Sequence, residues 1–288
     1  MRRGGRGIVG GTAPSVTVDL TVNAAGEFEA FTTDAPGEDP FGLDLAFRAR
    51  MLPLFRFLHD RYWRVEVTGA QNIPTHGPAL LVSNHSGALP FDGTMIVAAA
   101  EIHRQRTIRF LYDRFVDAVS PVATFYRKNG GAAASRENAL KLLQLGEALL
   151  IFPEGVPGVA KPFADRYHLQ PFVPGFARLA MALDVPIIPV AVVGAEEIYP
   201  LVGRAEGIGR MFGMPYIPIT PFFPLLGLLG TLPLPTKWQI QFGKPIRMPQ
   251  VDDEARWVRA KVEAARVRRR VQAMVNRLKS RRRSVFFG

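Results

Sequence analysis

Residues 79–100 read ALLVSNHSGALPFDGTMIVAAA, which is an apolar run, a polar segment and a second apolar run. The first run, Ala79–Ser83, has the length of a buried strand, and residues 92–103 have the length of a helix. The same order returns downstream, where the apolar residues 148–152 lead into Pro153-Glu154-Gly155. Each polar segment therefore directly follows a predicted strand.

Further apolar strands and amphipathic helices alternate along the chain. Strands are predicted at Arg64–Thr68, Thr107–Tyr112, Val185–Val193 and Trp238–Phe242, and helices from the N-cap Ser135 to Gly146 and over Pro174–Leu183. This alternation indicates an α/β fold, with a mostly parallel central sheet flanked by helices. Ligands of such sheets bind beyond the carboxyl ends of the strands. We therefore expect Asn84–Asp92 and Phe152–Gly155 to form one site.

Three parts of the chain differ in composition. Residues 1–40 are rich in small and acidic residues and are predicted to be a flexible extension; no apolar run marks a signal peptide there. Residues 41–250 form the predicted globular domain. It begins with an N-terminal helical segment, residues 43–62, expected as two short helices or one helix kinked at Pro53. The aromatic side chains of that segment either pack in the core or contact a membrane.

The net charge of +11 lies entirely in residues 255–288, which hold twelve Lys and Arg and a single acid, Glu263. Residues 251–288 are predicted to be a basic amphipathic helix and tail, because Val267, Val271 and Leu278 recur at helical spacing. The helix could pack on the domain with a solvated charged face, or dock on anionic lipid. Nucleic-acid binding finds no support in a zinc pattern or a helix-turn-helix signal, so no nucleic-acid partner is expected.

The longest uncharged stretch is residues 211–236. A helix of this length would cross a bilayer, but a regular helix is excluded by its six prolines, at 215, 218, 221, 224, 233 and 235. Three alternatives remain: a loop that enters the membrane interface, a loop that lines a hydrophobic groove, and a buried proline-rich loop.

Several classes of site are excluded by missing residues. The chain has no cysteine, so disulfides, cysteine nucleophiles and cysteine-zinc sites cannot form. No two histidines lie four residues apart, and no phosphate-binding Gly-rich loop ending in Lys-Ser or Lys-Thr occurs. We therefore expect neither a metal nor a cofactor.

Of the five histidines, His85 is singled out because it follows a strand and Asp92 comes seven residues later. A carboxylate beside an imidazole fixes its tautomer and stabilises the charged form, which suits a general base acting on an alcohol. Such a pair also occurs as a purely structural hydrogen bond. Glu154 and Gly155 form a turn that either binds a polar head group or caps backbone amides.

Asn84-His85 with Asp92, then Phe152-Pro153-Glu154-Gly155, then Val185–Val190, follow one another as the motifs of the glycerolipid acyltransferase family do. The chain resembles this family, which includes enzymes of the 1-acylglycerol-3-phosphate acyltransferase type, over residues 60–247. The resemblance implies a glycerol-3-phosphate acyltransferase-like fold. It also implies transfer of a fatty acyl group from an acyl-CoA or acyl-carrier-protein thioester to a hydroxyl of a lysophospholipid or related glycerolipid.

The same resemblance implies roles for individual residues. His85 would be the general base and Asp92 would orient it. Arg127 resembles the basic residue that holds the acceptor phosphate, a task suited to a bidentate guanidinium, and Pro189 would shape a pocket. The residues expected to contact substrates are Asn84, Ser86, Arg127, Glu154, Gly155, Lys161 and Pro189.

Two features depart from the family pattern. Six residues separate His85 from Asp92 where the family usually has four, so residues 86–91 must loop out. Val156-Pro157 stands where Thr-Arg often follows the Phe-Pro-Glu-Gly motif, and Lys161 and Arg166 are the candidates to replace that cation. The second departure favours an acceptor without a phosphate.

Two rival functions remain. A serine hydrolase using Ser83 or Ser86 lacks the Gly-x-Ser-x-Gly motif. A non-catalytic lipid-binding protein of the same fold would leave His85 and Asp92 too far apart for a hydrogen bond. Because acyl donors and acceptors live in or on bilayers, we expect a peripheral protein on the cytoplasmic face of the membrane, with residues 255–288 on anionic head groups.

Overall fold

The computed structural model describes residues 39–86, 91–211 and 216–288, with the backbone alone at positions 228, 253 and 254, and the backbone of two earlier strands. Its contacts divide the chain into two units, residues 1–40 and 41–288. In the first unit, β1 (Val18–Val22) pairs antiparallel with β2 (Phe28–Thr32). The rest of the predicted flexible extension lies outside the described residues.

The second unit holds the remaining elements. Its strands are β3 (Glu66–Thr68), β4 (Ala79–Ser83), β5 (Ile108–Tyr112), β6 (Gly131–Ala133), β7 (Ala148–Ile151), β8 (Ile187–Val193), β9 (Gly203–Ala205), β10 (Ile217–Ile219) and β11 (Gln239–Phe242). Its α-helices are α1 (Leu45–Phe57), α2 (Phe91–Arg104), α3 (Ser120–Lys128), α4 (Arg136–Gln144), α5 (Val156–Val159), α6 (Gly175–Leu183), α7 (Glu206–Met211) and α8 (Asp253–Arg281). Shorter helical turns lie at Leu58–Tyr62, Ala70–Asn72, Arg114–Ala118, Phe163–Asp165, Ala195–Glu197 and Gly227–Thr231.

A seven-stranded sheet in the order β3-β11-β8-β4-β7-β5-β6 forms the centre of this unit. Strands β8, β4, β7, β5 and β6 are mutually parallel, whereas β11 runs antiparallel to β8. The predicted mostly parallel sheet is therefore confirmed. β9 and β10 form a separate antiparallel pair.

Alternate residues of the buried strands supply two cores, one on each face of the sheet. On one face, Leu80 and Val82 of β4 pack in a cluster with residues of α4, α6 and α8. On the other face, Ala79 and Leu81 pack with α2 and with the stacked rings of Trp63 and Trp238, which lie 4.7 Å apart. Because helices cover both faces, β4 and β8 read as continuous apolar runs rather than alternating ones.

The predicted N-terminal helical segment is a single helix, α1, which contains Pro53 and continues into the π-helical turn Leu58–Tyr62. Asp44 caps its start by accepting the N–H of Phe47 at 2.9 Å. Arg48 fixes the helix to α2 and α3, since its guanidinium bonds Glu101 at 2.6 Å and the carbonyl of Asn129 at 2.7 Å.

The basic amphipathic helix predicted near the end of the chain is α8, and its apolar side is buried. Val267, Val271, Met274 and Leu278 belong to the core on the first face of the sheet. The exposed side carries arginines, among them Arg269, Arg270 and Arg277. The structure thus packs α8 on the domain with a solvated basic face, so the apolar side of this helix is not available to a membrane.

The structure also describes most of the uncharged stretch, residues 211–236. Within the described residues, no helix combines the length and the apolar character that crossing a bilayer requires. Residues 222–232 expose Leu225, Leu226, Leu229 and Leu232 to solvent. The alternative of a buried proline-rich loop is therefore wrong for this segment.

Acid should weaken the fold through His59, which is buried beside His103 and whose Nε2 has no hydrogen-bond partner. Burial lowers the pKa of the His59 imidazole, so the unfolded chain binds more protons than the folded one just below pH 6.5. We expect the free energy of unfolding to fall as the pH drops through this range. In a His59→Phe variant the same drop in pH should lower the free energy of unfolding by less than in the wild type. Urea denaturation at several pH values measures this, with His76→Phe at an exposed histidine as the control; equal pH dependence in both variants would contradict the assignment.

Candidate active site

His85 lies just beyond β4, and Asp92 is the second residue of α2. Asp92 is fully buried and accepts the backbone N–H groups of Ser86 at 2.8 Å and Gly93 at 2.7 Å. Its Oδ2 lies 2.7 Å from Nδ1 of His85. The two side chains therefore meet although six residues separate them, and the carboxylate holds Nδ1 as the protonated nitrogen.

The imidazole ring of His85 is also fixed from the neighbouring strand. Phe152, which follows β7, stacks on the ring at a centroid distance of 4.1 Å and an angle of 19°. The His85 side chain remains 16% exposed, and among the described residues no protein atom is hydrogen-bonded to Nε2. This nitrogen keeps a lone pair that can accept a proton.

Glu154 joins the two turns that follow β4 and β7. Its Oε1 accepts the backbone N–H of His85 at 2.8 Å, and its Oε2 accepts the backbone N–H of Gln170 at 2.6 Å. The side chain is fully buried. The sequence left two interpretations of this turn, binding of a polar head group and capping of backbone amides. The geometry supports capping, and through it Glu154 holds the backbone of His85 in place.

Two glycines permit this close packing. Gly155 has φ +60° and ψ −154°, a backbone conformation that is essentially restricted to glycine. A Cβ on Gly158 would lie 2.7 Å from Cβ of Glu154 and 3.0 Å from Cβ of His85. Gly158, which the sequence did not single out, therefore lets α5 lie directly against the histidine.

Lys161 is buried between two carboxylates. Its Nζ lies 3.0 Å from Glu196 and 3.6 Å from Glu154, and the second oxygen of Glu196 accepts the N–H of Tyr167 at 2.7 Å. Burial raises the pKa of Glu196, and the positive charge of Lys161 opposes this shift. The predicted cation thus lies beside the Phe-Pro-Glu-Gly turn, with its charge balanced by protein groups.

The network continues to the end of α8. Glu197, next to Glu196, forms an ion pair with Arg282, and both side chains are buried. Arg282 also donates to the hydroxyl of Tyr167 at 3.2 Å. Contacts therefore run without a break from Arg282 through the two glutamates and Lys161 to Glu154 and the backbone of His85. The sequence signal that could have identified this network is the pair of acids, Glu196 and Glu197, which begins three residues after the apolar strand β8.

A small cleft is lined on one side by Gly158. Phe163, Tyr199 and Leu201 form apolar walls, and Lys161 and Arg166 lie among them. The guanidinium of Arg166 lies over the ring of Phe163 at 4.3 Å. Both candidates to replace the missing cation thus line this cleft.

Replacing Lys161 by methionine should destabilise the protein by about 3–5 kcal/mol, because two buried carboxylates lose their only nearby cation among the described residues. The same substitution at the exposed Lys244 should change the free energy of unfolding by less than about 0.5 kcal/mol. Urea denaturation of both variants measures the difference. Equal losses would mean that the Lys161 network contributes little to folding.

Asn84 and Pro189 lie within the sheet. The amide of Asn84 is fully buried and bonds the backbone of Val192 twice, at 2.9 and 3.1 Å, which ties β4 to β8. Pro189 is buried in β8 opposite Val82. The hydroxyl of Ser86 is buried 3.5 Å from Asp92. Asn84 and Ser86 thus bond other protein groups in this structure, and their contact with a substrate stays a prediction.

Arg127 is on α3, where its half-exposed guanidinium lies 3.7 Å from Asp117 and 3.3 Å from the hydroxyl of Thr124. No contact of the described residues joins it to His85 or Glu154. Its neighbour Tyr126 is closer to the site: burial raises the pKa of the Tyr126 hydroxyl to about 12, with a smaller contribution from the negative charge of Asp92. The phosphate-binding role of Arg127 stays a prediction.

These groups place an imidazole, whose Nε2 has no hydrogen-bond partner among the described residues, in front of a fixed carboxylate. The serine hydroxyls near His85 have other partners, since Ser83 donates to the carbonyl of Asn84 at 3.0 Å and Ser86 faces Asp92. No three His, Asp or Glu side chains of the described residues could together hold a metal ion. The arrangement suits proton abstraction from a bound hydroxyl.

Comparisons with known proteins give consistent findings. A family model described as Acyltransferase matches residues 64–193, which include both turns of the site. An uncharacterized protein of Mycobacterium tuberculosis is 40% identical over 282 residues, covering 96% of this chain and 78% of that protein. A human protein named DGAT1/2-independent enzyme synthesizing storage lipids is 31% identical over 199 residues, covering 68% of this chain and 58% of that protein.

Among solved structures, the 1-acyl-sn-glycerophosphate (LPA) acyltransferase PlsC from Thermotoga maritima matches with a TM-score of 0.51. The match covers 82% of this chain and 83% of that chain, at 18% sequence identity. At this identity the likeness concerns the fold: a mostly parallel sheet flanked by helices.

Proposed function

We propose that this chain, whose residues 64–193 match an acyltransferase family model, moves a fatty acyl group from an acyl thioester to a hydroxyl of a glycerolipid, with His85 as the general base. The observation that carries the proposal is the 2.7 Å hydrogen bond between Nδ1 of His85 and Asp92. This bond leaves Nε2 as the proton acceptor of a side chain that is 16% exposed.

The proposed reaction requires no covalent enzyme intermediate. Nε2 of His85 takes the proton of the acceptor hydroxyl while the oxygen of that hydroxyl attacks the thioester carbonyl carbon. The tetrahedral intermediate then expels the thiolate, which takes the proton back from the imidazolium. Asp92 stays ionised throughout and stabilises the imidazolium, as the carboxylate does in other His–Asp pairs. The products are an ester and a free thiol.

The donor would be an acyl-CoA or an acyl carrier protein thioester. The acceptor would be a lysophospholipid or a related glycerolipid, in keeping with the names of the human relative and of the Thermotoga enzyme. Since the charge of Lys161 is balanced by Glu154 and Glu196, a phosphate would depend on another cation, and the candidates are Arg166, which lines the cleft, and Arg127.

The test is thiol release from palmitoyl- or oleoyl-CoA by the purified protein, followed by product analysis. The acceptors offered are lysophosphatidate, lysophosphatidylcholine, monoacylglycerol and diacylglycerol, and the set is repeated with acyl carrier protein donors. We expect release that requires an acceptor and yields the matching ester. Thiol release without any acceptor would establish a hydrolase instead, and silence with every pair would favour the lipid-binding alternative.

A further inference from the structure

We propose that two exposed apolar segments form one surface that docks on a bilayer containing anionic phospholipid. The first is the leucine loop, residues 222–232, and the second is the C-terminal tip, residues 285–287. The inference rests on the proposed function in one respect only, namely that both substrates are lipids. The surface itself follows from exposure, contacts and charge.

The leucine loop exposes large apolar side chains without any charge among them. Leu225 is 82% exposed and Leu229 is 71% exposed, and Leu226, Leu232 and Phe222 are also exposed. The sequence has no charged residue between Arg210 and Lys237. Soluble proteins rarely present contiguous apolar surface of this kind unless it binds a partner or a membrane.

Hydrogen bonds hold the base of the loop on the domain. The hydroxyls of Tyr199 and Tyr62 donate to the carbonyls of Thr231 and Pro233, each at 2.6 Å. Turn bonds such as Leu226 N–H to the carbonyl of Phe222, at 2.7 Å, satisfy backbone groups within the loop. Internal satisfaction of the backbone is what a segment that enters an apolar phase requires.

The C-terminal tip lies beside the end of this loop. The carbonyl of Val285 accepts the N–H of Lys237 at 2.8 Å, and Arg64 donates to the carbonyls of both Pro235 and Phe286, at 2.9 and 2.7 Å. Phe287 is 89% exposed, and Phe286 is exposed as well. The tip is therefore held next to residues 235–237, which follow the loop in the chain, and it carries an aromatic pair.

Charge identifies the partner. Residues 264–288 contain nine lysines and arginines and no acid, and Lys279, Arg281 and Arg283 next to the tip are exposed. Aromatic and leucine side chains with neighbouring basic residues suit the interface of an anionic bilayer, such as the cytoplasmic leaflet. Because Val267, Val271, Met274 and Leu278 of α8 are buried in the core, we assign insertion to the loop and the tip, and the basic end of the helix supplies charge.

The surface also borders the candidate active site. Tyr199, which bonds the loop at Thr231, lines the cleft together with Lys161 and Leu201. Tyr199 therefore contacts both the loop and the cleft.

The experiment is co-sedimentation of the full chain with phosphatidylcholine vesicles, with and without phosphatidylglycerol, at low and high salt. A Leu225→Ser/Leu229→Ser variant should bind about a hundredfold more weakly at every salt concentration, at roughly tenfold for each leucine lost. Arg281→Gln/Arg283→Gln should weaken binding to anionic vesicles at low salt and leave it unchanged at high salt. The control is Val258→Ser/Val262→Ser, two exposed residues in the first half of α8, which should bind like the wild type.

The proposal is overturned if the leucine variant binds vesicles as tightly as the wild type, or if the valine control loses as much. It is also overturned if size-exclusion chromatography shows that the leucine variant dissociates a dimer of the wild type, because the surface would then join two copies of this chain. Binding needs no turnover, so a protein that docks normally but transfers no acyl group would refute the proposed function and leave this surface in place.

Discussion

Replacing His85 by alanine should lower kcat for acyl transfer by about 10²–10⁴-fold, the range that a general base contributes. The fold should lose only about 1 kcal/mol, because one hydrogen bond to Asp92 disappears while the backbone N–H of His85 still donates to Glu154. The measurement is single-turnover acyl transfer beside urea denaturation. A rate above a tenth of that of the wild type would remove His85 from the role of base.

The matched control for this variant is His76→Ala, which truncates an exposed histidine in the turn before β4. We expect it to keep the rate of the wild type. A large drop in both variants would point to a general effect on folding, and the denaturation curves would show it. If the His85 variant still released thiol without an acceptor, hydrolysis by another route would be responsible.

The second large effect is expected for Asp92→Asn, which should lower kcat by roughly 10²–10⁴-fold with little change in the shape of the site. The carboxylate now accepts three N–H groups, from His85, Ser86 and Gly93. An amide has only one accepting oxygen, so its NH₂ group would face one of these donors. Where it faces His85, the imidazole must accept at Nδ1 and carry its proton on Nε2, which is the wrong tautomer for a base.

Single-turnover kinetics test this second prediction, and imidazole NMR of the variant reports the tautomer directly. Asp165→Asn, the same change at an exposed aspartate, is the control and should leave the rate unchanged. An Asp92→Asn enzyme that keeps its rate, or one that keeps the proton on Nδ1, would show that the carboxylate does not orient the base.

Buried parallel strands were the elements that the sequence predicted best. Ala79–Ser83 was predicted with the observed bounds, and Val185–Val193 contains the observed β8. The observed strands β4 and β8 are buried at every position because both faces of the sheet are covered. The edge strand β6 was missed, since Gly-Ala-Ala has little strand propensity of its own and becomes a strand by pairing with β5. The short helix α3 was also missed.

The candidate site was predictable only where it depends on neighbours in sequence. The pairing of His85 with Asp92 follows from a strand, a turn and a helix that are consecutive in the chain. The ion pairs of Glu196 with Lys161, and of Glu197 with Arg282, join segments that are 35 and 85 residues apart. No spacing rule links such segments, and Gly158 was missed for the same reason: its small size matters only against His85 and Glu154 in space.

The continuous contacts from Arg282 to His85 also bear on how the protein is made. About 200 residues separate the two positions, and a ribosome adding about 5–20 residues per second needs roughly ten to forty seconds to pass from one to the other. During this interval the turn after β4 can form its bonds to Asp92. Arg282, the ion-pair partner of Glu197, has not yet been synthesised, and neither has the apolar side of α8 that covers the sheet. The histidine therefore gains its full support late in biosynthesis, long after its own strand has emerged.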